Sequence, residues 1–483
     1  VLTKAVKVPL DREFTGPVAP AVIVVGAIVC GIVVSAFGPL LVVAPFAAIA
    51  VGWMWFRVPG VLLAAYLFLP FYKATLGPLS PVDLTPVLAV LNASQLVLVL
   101  RGREPNYGSR LGLALWASLG LVVLAGVTWA GQQSLALDRA SFWWALILLP
   151  SIASVRVASD LRFLNQFIAT GFVIGTIIVL FGLQNLFGLT RLAVIGENTL
   201  QTGAITLIVA LLAIFWIVRA GPRWAQPFAA ALIVLALLES VASGSRGPLI
   251  ASAIALVFGL VSRLLSGRAG SRQDIGIVAL ACVAVASLAI ALTRLPGQSI
   301  ARILQVGEAI SSGGPLGSSI GARADLFSLA TNMFIERPLL GNGTASFAAY
   351  TTTHVGLSEF TYPHNDLLQL AAEFGIVGAG LFVALVAIAI LRRTPINAAW
   401  ASVKVLFVFM LALSLSSGDI YGDRLLWGLL VIVISAPVRS AAHDPVGVAI
   451  GRTPAHPPRG APPTGGLDAR VSMAARRAPA PRE

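Results

Sequence analysis

YPHNDLLQLAAEFGIVGAGLFVALVAIAILRR, residues 362–393, decides how this chain is read. Residues 374–391 carry no charge, and Arg392 and Arg393 close the run. A bilayer core of ~30 Å needs about 20 apolar residues, so this stretch reads as a membrane span. Ahead of it, Pro363 favours an extended approach and Asn365 or Asp366 can cap a helix. Leu367, Leu368, Leu370 and Ala371 then form an apolar face. His364 therefore stands at a helix N-terminus, where the positive dipole end disfavours imidazolium and leaves a neutral ring able to accept a proton near pH 7. Glu373 lies about 180° from His364 around a single helix, so it is not the carboxylate that orients that ring.

The same alternation of charge-free runs and polar breaks extends over the 483 residues, which are 57% hydrophobic and 11% charged, with a mean hydropathy of +0.90. A soluble domain has about 45–50% apolar and about 25% charged residues, so this chain cannot cover itself with a charged surface. Candidate spans fall near 18–37, 39–56, 58–72, 84–100, 111–130, 142–155, 163–183, 199–218, 227–242, 248–265 and 275–293. After a long polar gap come 374–391, 400–417 and 423–437. The expected fold is all-α: a polytopic integral membrane protein of about 12–14 transmembrane helices with one large helical extracytoplasmic loop. The lower number applies if the short, closely spaced pairs are re-entrant.

Charge sets the sidedness. With the N-terminus inside and fourteen spans, inner loops and span ends hold 14 basic residues. The short outer loops hold five, Lys73, Arg139, Arg191, Arg246 and Arg424. This is the bias that the positive-inside rule demands. The domains expected are a cytoplasmic segment 1–17, transmembrane helices 18–293, an extracytoplasmic loop 294–373, transmembrane helices 374–437 and a tail 438–483. The tail is rich in Pro, Ala, Gly and Arg and should be a disordered, basic, cytoplasmic segment against anionic lipid. The first apolar run is long and continues into others, so the chain reads as lacking a cleavable signal peptide.

The net charge of +13 does not indicate nucleic acid, because the excess lacks any basic block interleaved with aromatics. Cys30 and Cys282 lie within apolar runs, and the four histidines lack metal-ligand spacing, so no metal or cofactor is expected. The outer arginines carry the interest. Arg246 lies in VASGSRGPLI, where Gly244 and Gly247 leave backbone N–H groups free and Pro248 can open a helix. Such a turn is an anion site, or its arginine merely snorkels to the interface. Arg191, in TRLAVIGENTLQTG, has the same two readings, and Arg323 begins a helical pattern ended by Pro338 and the turn Gly341-Asn342-Gly343. Glu239 is the one acid deep in a span, where it pairs with Arg246 two turns on, serves catalysis or proton coupling, or marks a span placed out of register. Asp419 and Asp423 either steer a hydroxyl-rich acceptor or pair with Arg424. His354 lacks a comparable helix cap, and His443 and His456 lie in the tail.

The pattern R-x-x-L-F … P-L-L-G-N-G-x-x-x-F over 323–347, closed by P-H-N-D-L-L-Q-L-A-A-E-F-G-I-V-G over 363–378, resembles the O-antigen ligase and polymerase superfamily. The S-x-S-R-G run at 243–247 and the segment 417–427 also fit, so the likeness covers roughly the C-terminal half. The N-terminal spans match only in being hydrophobic. The resemblance implies a metal-independent, inverting glycosyltransferase in the bacterial inner membrane, acting on the periplasmic side. Its donor would be an undecaprenyl-diphosphate-linked glycan, and its acceptor a hydroxyl on lipid A core or another glycan. By the same likeness His364 is the base or orienting group, and Arg191 and Arg246 grip the diphosphate. Arg323, Asn365, Glu239 and Asp419 are the further candidates for substrate contact.

Polymerase and protein O-glycosylating members share these motifs. A flippase or transporter of lipid-linked glycans is the alternative from another class. It favours charged cavities within the spans and little extracytoplasmic mass, whereas here the spans are nearly free of charge and about 80 residues lie outside. A third reading, a non-catalytic scaffold of an envelope complex, makes His364 dispensable.

Overall fold

The computed structural model describes residues 52, 55–76, 83–101, 108–183, 199–217, 224–265 and 318–437. Helices make up the regular structure of these residues, with no strand among them. In chain order they are α1 (Pro59–Leu67), α2 (Leu69–Leu76), α3 (Leu84–Arg101), α4 (Arg110–Trp129), α5 (Gln133–Ser159), α6 (Leu161–Gly182), α7 (Thr199–Trp216), α8 (Ala225–Ala242) and α9 (Arg246–Leu265). They continue as α10 (Ser318–Glu336), α11 (Ser346–Tyr350), α12 (Asp366–Leu391), α13 (Ala398–Ser417) and α14 (Arg424–Ile434). Nine of them, α3–α9, α12 and α13, are long and apolar enough to cross a membrane among the described residues. This is the polytopic membrane fold expected. The expected spans 18–37, 39–56 and 275–293 and the tail lie outside the described residues, apart from 52, 55 and 56.

Burial separates centre from periphery. In α7 and α13, 78% and 72% of the span is buried against other helices, whereas α3 has 22%. α14 is short but buried from Leu425 to Ile434. Trp427 meets Trp116 of α4 and Phe382 of α12 at ring-centroid distances of 5.2 and 5.6 Å. Outward-facing Leu100, Leu111, Val257 and Ile250 are 60–76% exposed, a surface made for acyl chains rather than water. Span ends are tied by basic side chains to neighbouring carbonyls. Arg156 donates to Phe56 O at 2.8 Å, Arg392 Nε to Ala436 O at 2.9 Å, and Lys404 Nζ to Arg392 O at 2.7 Å.

One element differs from the sequence expectation in an informative way. Helix α12 begins at Asp366, eight residues before the expected span, and is broken at Gly375 (φ 62°, ψ −154°). A break exposes carbonyls on one side and N–H groups on the other. The Pro-Leu-Leu-Gly-Asn-Gly turn after α10 supplies partners for both. Asn342 N and Nδ2 donate to Ala372 O at 3.1 and 3.0 Å, and Gly343 N donates to Glu373 O at 2.8 Å. In return Ile376 N donates to Pro338 O at 2.7 Å and Val377 N to Leu339 O at 3.4 Å. The two backbones touch so closely that a Cβ on Gly341 would lie 2.4 Å from Glu373 O, and one on Gly375 would lie 2.4 Å from Leu339 O.

Gly375→Ala should therefore cost about 3 kcal/mol or more, because the φ/ψ pair is open to glycine alone and the turn must also move away. Gly380→Ala, on the same helix with open space around its Cβ, should be close to neutral. Thermal unfolding of the two variants in detergent measures the difference.

Candidate functional site

The C-terminal end of α13 is the hub of the site. The last carbonyls of a helix lack intrahelical partners and carry partial negative charge, so they draw donors. Asn365 Nδ2 donates to Leu415 O at 2.8 Å, and Arg323 Nη1 donates to Ser416 O at 3.1 Å. Gly247, next to Arg246 at the head of α9, packs on the same end: a Cβ there would lie 3.4 and 3.5 Å from the Ser416 and Ser417 hydroxyls. Arg246 opens α9, as the Ser-Arg-Gly-Pro sequence suggested, after a turn in which Gly244 takes φ 63°.

His364 precedes the helix cap rather than forming part of the helix. Asn365 is the N-cap, its Oδ1 accepting from Leu368 N at 3.0 Å, and His364 sits at φ 58°, a left-handed conformation uncommon outside glycine. That turn swings the ring back against Tyr362, edge-on at 4.4 Å. Burial, with the Arg323 guanidinium as a lesser cause, holds the His364 pKa down to about 4. The ring is thus neutral at pH 7, as the sequence led one to expect, but through burial and a neighbouring cation. Its Nδ1 is buried with no hydrogen-bond partner among the described residues.

Beside this turn lies a cavity of about 210 Å³. Its lining combines apolar side chains, among them Leu67, Pro70, Phe71, Leu200 and Leu413, with the polar Tyr362, Asp419, Asp423 and Arg424. Burial pushes the Tyr362 hydroxyl up to about 12, helped by Asp419 and Asp423. Asp419 Oδ1 accepts from Tyr421 N at 3.1 Å, and burial raises the pKa of its carboxyl. Arg424 points toward the rings of Tyr66 and Phe142 at 5.5 and 5.8 Å. Arg139 of α5 closes over the 356–363 loop, with its guanidinium 4.8 Å from the Phe360 ring and 5.8 Å from that of Tyr421. Its Nη2 donates to Glu359 O at 2.9 Å.

A buried network joins these pieces. Glu373 Oε2 accepts from Tyr421 Oη at 2.5 Å and from Ala345 N at 2.9 Å, and Ala345 sits at φ 57°. Gln369 Nε2 stands 3.5 Å from both Glu373 Oε1 and Asp419 Oδ1, while its Oε1 accepts from Ile420 N at 3.2 Å. Glu373 therefore ties the Asn342 turn, the helix that carries His364 and the Asp419 loop into one unit. The sequence argument that Glu373 does not orient His364 agrees with this geometry.

The residues singled out from sequence fare unequally. His364, Arg323, Asn365 and Asp419 come together, and Arg246 heads the helix packed on the same α13 end. Arg191 lies outside the described residues. The pairing of Glu239 with Arg246 is not formed, because α8 ends at Ala242 and the 243–245 turn takes Arg246 off its helical face. Glu239 instead packs against Gly182, with no hydrogen-bond partner for its carboxylate among the described residues. Asn365, expected to contact substrate, has both ends of its amide engaged by Leu368 N and Leu415 O, so it holds the turn in place. His354 stacks on Tyr350 at 4.3 Å. Sequence reasoning missed Arg139, Tyr362, Gln369 and Tyr421. For Arg139 a signal existed, since it is one of five cations on the side where cations are scarce.

Glu373→Ala leaves the buried Tyr421 hydroxyl without its acceptor and strips Ala345 N of one of its two, Tyr421 Oη remaining at 3.0 Å, so it should cost about 2 kcal/mol. Glu373→Gln, which keeps an acceptor oxygen, should lose less than about half of that. Detergent melting curves compare the two.

Comparison with known proteins adds to this geometry. No curated protein matches the chain. A family model described as O-antigen ligase matches residues 231–383, from α8 into α12, and so takes in Arg246, Arg323, His364 and Glu373. The 417–427 segment with Asp419 and Tyr421 lies beyond the match. The likeness read from the Pro-His-Asn-Asp and Pro-Leu-Leu-Gly-Asn-Gly runs thus holds: residues 231–383 of this polytopic membrane protein match the O-antigen ligase family.

Proposed function

We propose that the protein is a membrane glycosyltransferase of the O-antigen ligase type. It moves a glycan from an undecaprenyl-diphosphate carrier to an acceptor hydroxyl at the outer face of the bacterial inner membrane. The observation that carries this reading is a neutral His364 beside Arg323, its ring against Tyr362 in the lining of a cavity that combines apolar and polar side chains.

The chemistry needs little more. A new bond forms between the acceptor oxygen and the anomeric carbon, and the bond from that carbon to the diphosphate oxygen breaks with inversion. The diphosphate departs with the electron pair, and His364 takes the hydroxyl proton. The leaving group carries its own activation, so the protein must neutralise developing charge, which fixed guanidinium groups in a water-poor site do well. Arg246 and Arg323 at the α13 end serve that purpose in this reading, with Arg191 as a further candidate. Asp419, in the lining of the cavity, accepts hydrogen bonds from a hydroxyl-rich acceptor. The apolar lining suits a polyprenyl chain. A divalent metal has no part in this scheme.

The purified protein in lipid vesicles, given a polyprenyl-diphosphate glycan and an acceptor, should release polyprenyl diphosphate. A flippase would move the donor across without releasing it. His364→Ala should lower transfer by about 10²–10⁴-fold, the usual worth of a positioned base. Intact transfer in that variant would remove His364 from the mechanism.

The pH profile supplies a separate check. The base form of His364 is required, and its folded pKa of about 4 is below the ordinary value of 6.5. Transfer should therefore persist as pH falls from 7 to 5 and disappear only toward 4. An acid limb near 6.5 would mean that the ring is solvated or that another group is the base.

A further inference from the structure

We propose that the turn at residues 338–340, with Ile335 beside it, is immersed in the lipid leaflet on the site's side of the membrane. The extramembrane loop would thus be anchored in acyl chains next to the site.

The first argument is length. Arg392 and Arg393 mark one boundary of the hydrocarbon, as basic residues at a span end do. Residues 376–391, the straight part of α12 beyond its break, rise about 24 Å at 1.5 Å each, against a core of about 30 Å. Tilt would shorten that rise further. The break at Gly375 therefore lies some 6 Å or more inside the hydrocarbon, together with whatever packs against it.

The second argument is continuity. The turn is joined to the helix by the bonds from Ile376 N to Pro338 O and from Val377 N to Leu339 O, so it shares that depth. At membrane depth no water can satisfy a broken backbone, and here the turn satisfies it. Its outward residues then face what Ile376 faces. Leu339 is 70% exposed, Leu340 56%, Ile335 65% and Ile376 59%. Four large apolar side chains around one break form a surface that water disfavours and acyl chains fill. The opposite face of α10 is already used, with Ala330 and Met333 packed on Phe347 and Ala372. Glu336 and Arg337, exposed just before the turn, fit the headgroup level above the leucines. The occupant is therefore lipid and not a second protein, since the patch continues the acyl-facing surface of a spanning helix.

The test does not depend on the transfer chemistry. With Cys30 and Cys282 replaced by alanine, an environment-sensitive fluorophore is attached to Leu339→Cys, or to Leu340→Cys should the first variant fold poorly. Glu359→Cys, at an exposed position of the same loop, is the comparison. The labelled protein is placed in phosphatidylethanolamine and phosphatidylglycerol vesicles containing doxyl-labelled lipid. Doxyl lipid should quench the Leu339 label about threefold more than the Glu359 label, and aqueous iodide should show the reverse order, as for a group a few ångströms below the interface. Iodide quenching of equal strength at both positions would overturn the proposal. Protection of Leu339 from both quenchers would overturn it as well, by pointing to a protein partner over the turn.

Discussion

A helix broken inside an apolar, span-length segment must find partners for its backbone within the protein, and the rest of this structure follows from that requirement. Gly375 makes the break, and the turn from Pro338 to Gly343 fills it from both sides. The exchange is reciprocal: the helix gives up carbonyls at Ala372 and Glu373 and N–H groups at Ile376 and Val377, and the turn supplies the complement of each. Glycine is required at Gly341 and Gly375 because each backbone sits where the other's Cβ would be. A loop far off in sequence thereby becomes as fixed as the helix it enters.

That fixation reaches the site. The segment ahead of the break, from Asp366 to Phe374, is held by the turn below it and by Glu373 and Gln369 along its buried face. Its cap, Asn365, is pinned to the end of α13, which also receives Arg323. His364 is consequently placed by three elements at once, and its left-handed backbone is a strain that this surrounding structure sustains. Charge is sorted along the same lines. The Arg323 guanidinium sits at the carbonyl end of α13, with Arg246 heading the helix packed there, while Asp419 and Asp423 line the cavity. In the proposed reaction this sorting separates the anionic donor from the hydroxyl-rich acceptor, so each substrate has a side.

What could be read in the sequence was what depends on local pattern. Apolar run length gave the spans, and the Asn-Asp pair after Pro363 gave the cap and put His364 ahead of it. The Pro-Leu-Leu-Gly-Asn-Gly motif was legible as a turn, but not its purpose, because its partners lie some thirty residues away on another element. The pairing of Glu239 with Arg246 failed for a related reason: helical spacing was carried across Gly244, whose positive φ ends the helix. Tyr421 was invisible, and so were the partners of Arg139, because cation–π and hydroxyl–carboxylate contacts across more than 40 residues leave no periodic trace. The neutral state of His364 was foreseen from the helix dipole, yet the structure produces it through burial and Arg323.

That last substitution of cause bears on the proposed chemistry. A dipole acts on a histidine whether or not substrate is present, and a surface ring so placed would still titrate near its ordinary range. A buried ring beside a guanidinium behaves differently when an anion arrives. Diphosphate bound at Arg323 would offset the lesser, cationic part of what holds the His364 pKa down, burial keeping it below the ordinary value, and so make the ring a somewhat stronger base while donor is present. The base would then gain strength at the moment an acceptor hydroxyl needs to be deprotonated, and remain weak in the empty site. In the proposed reaction one side chain, Arg323, would couple donor binding to proton acceptance, because it belongs at once to the hub on α13 and to the electrostatic surroundings of His364.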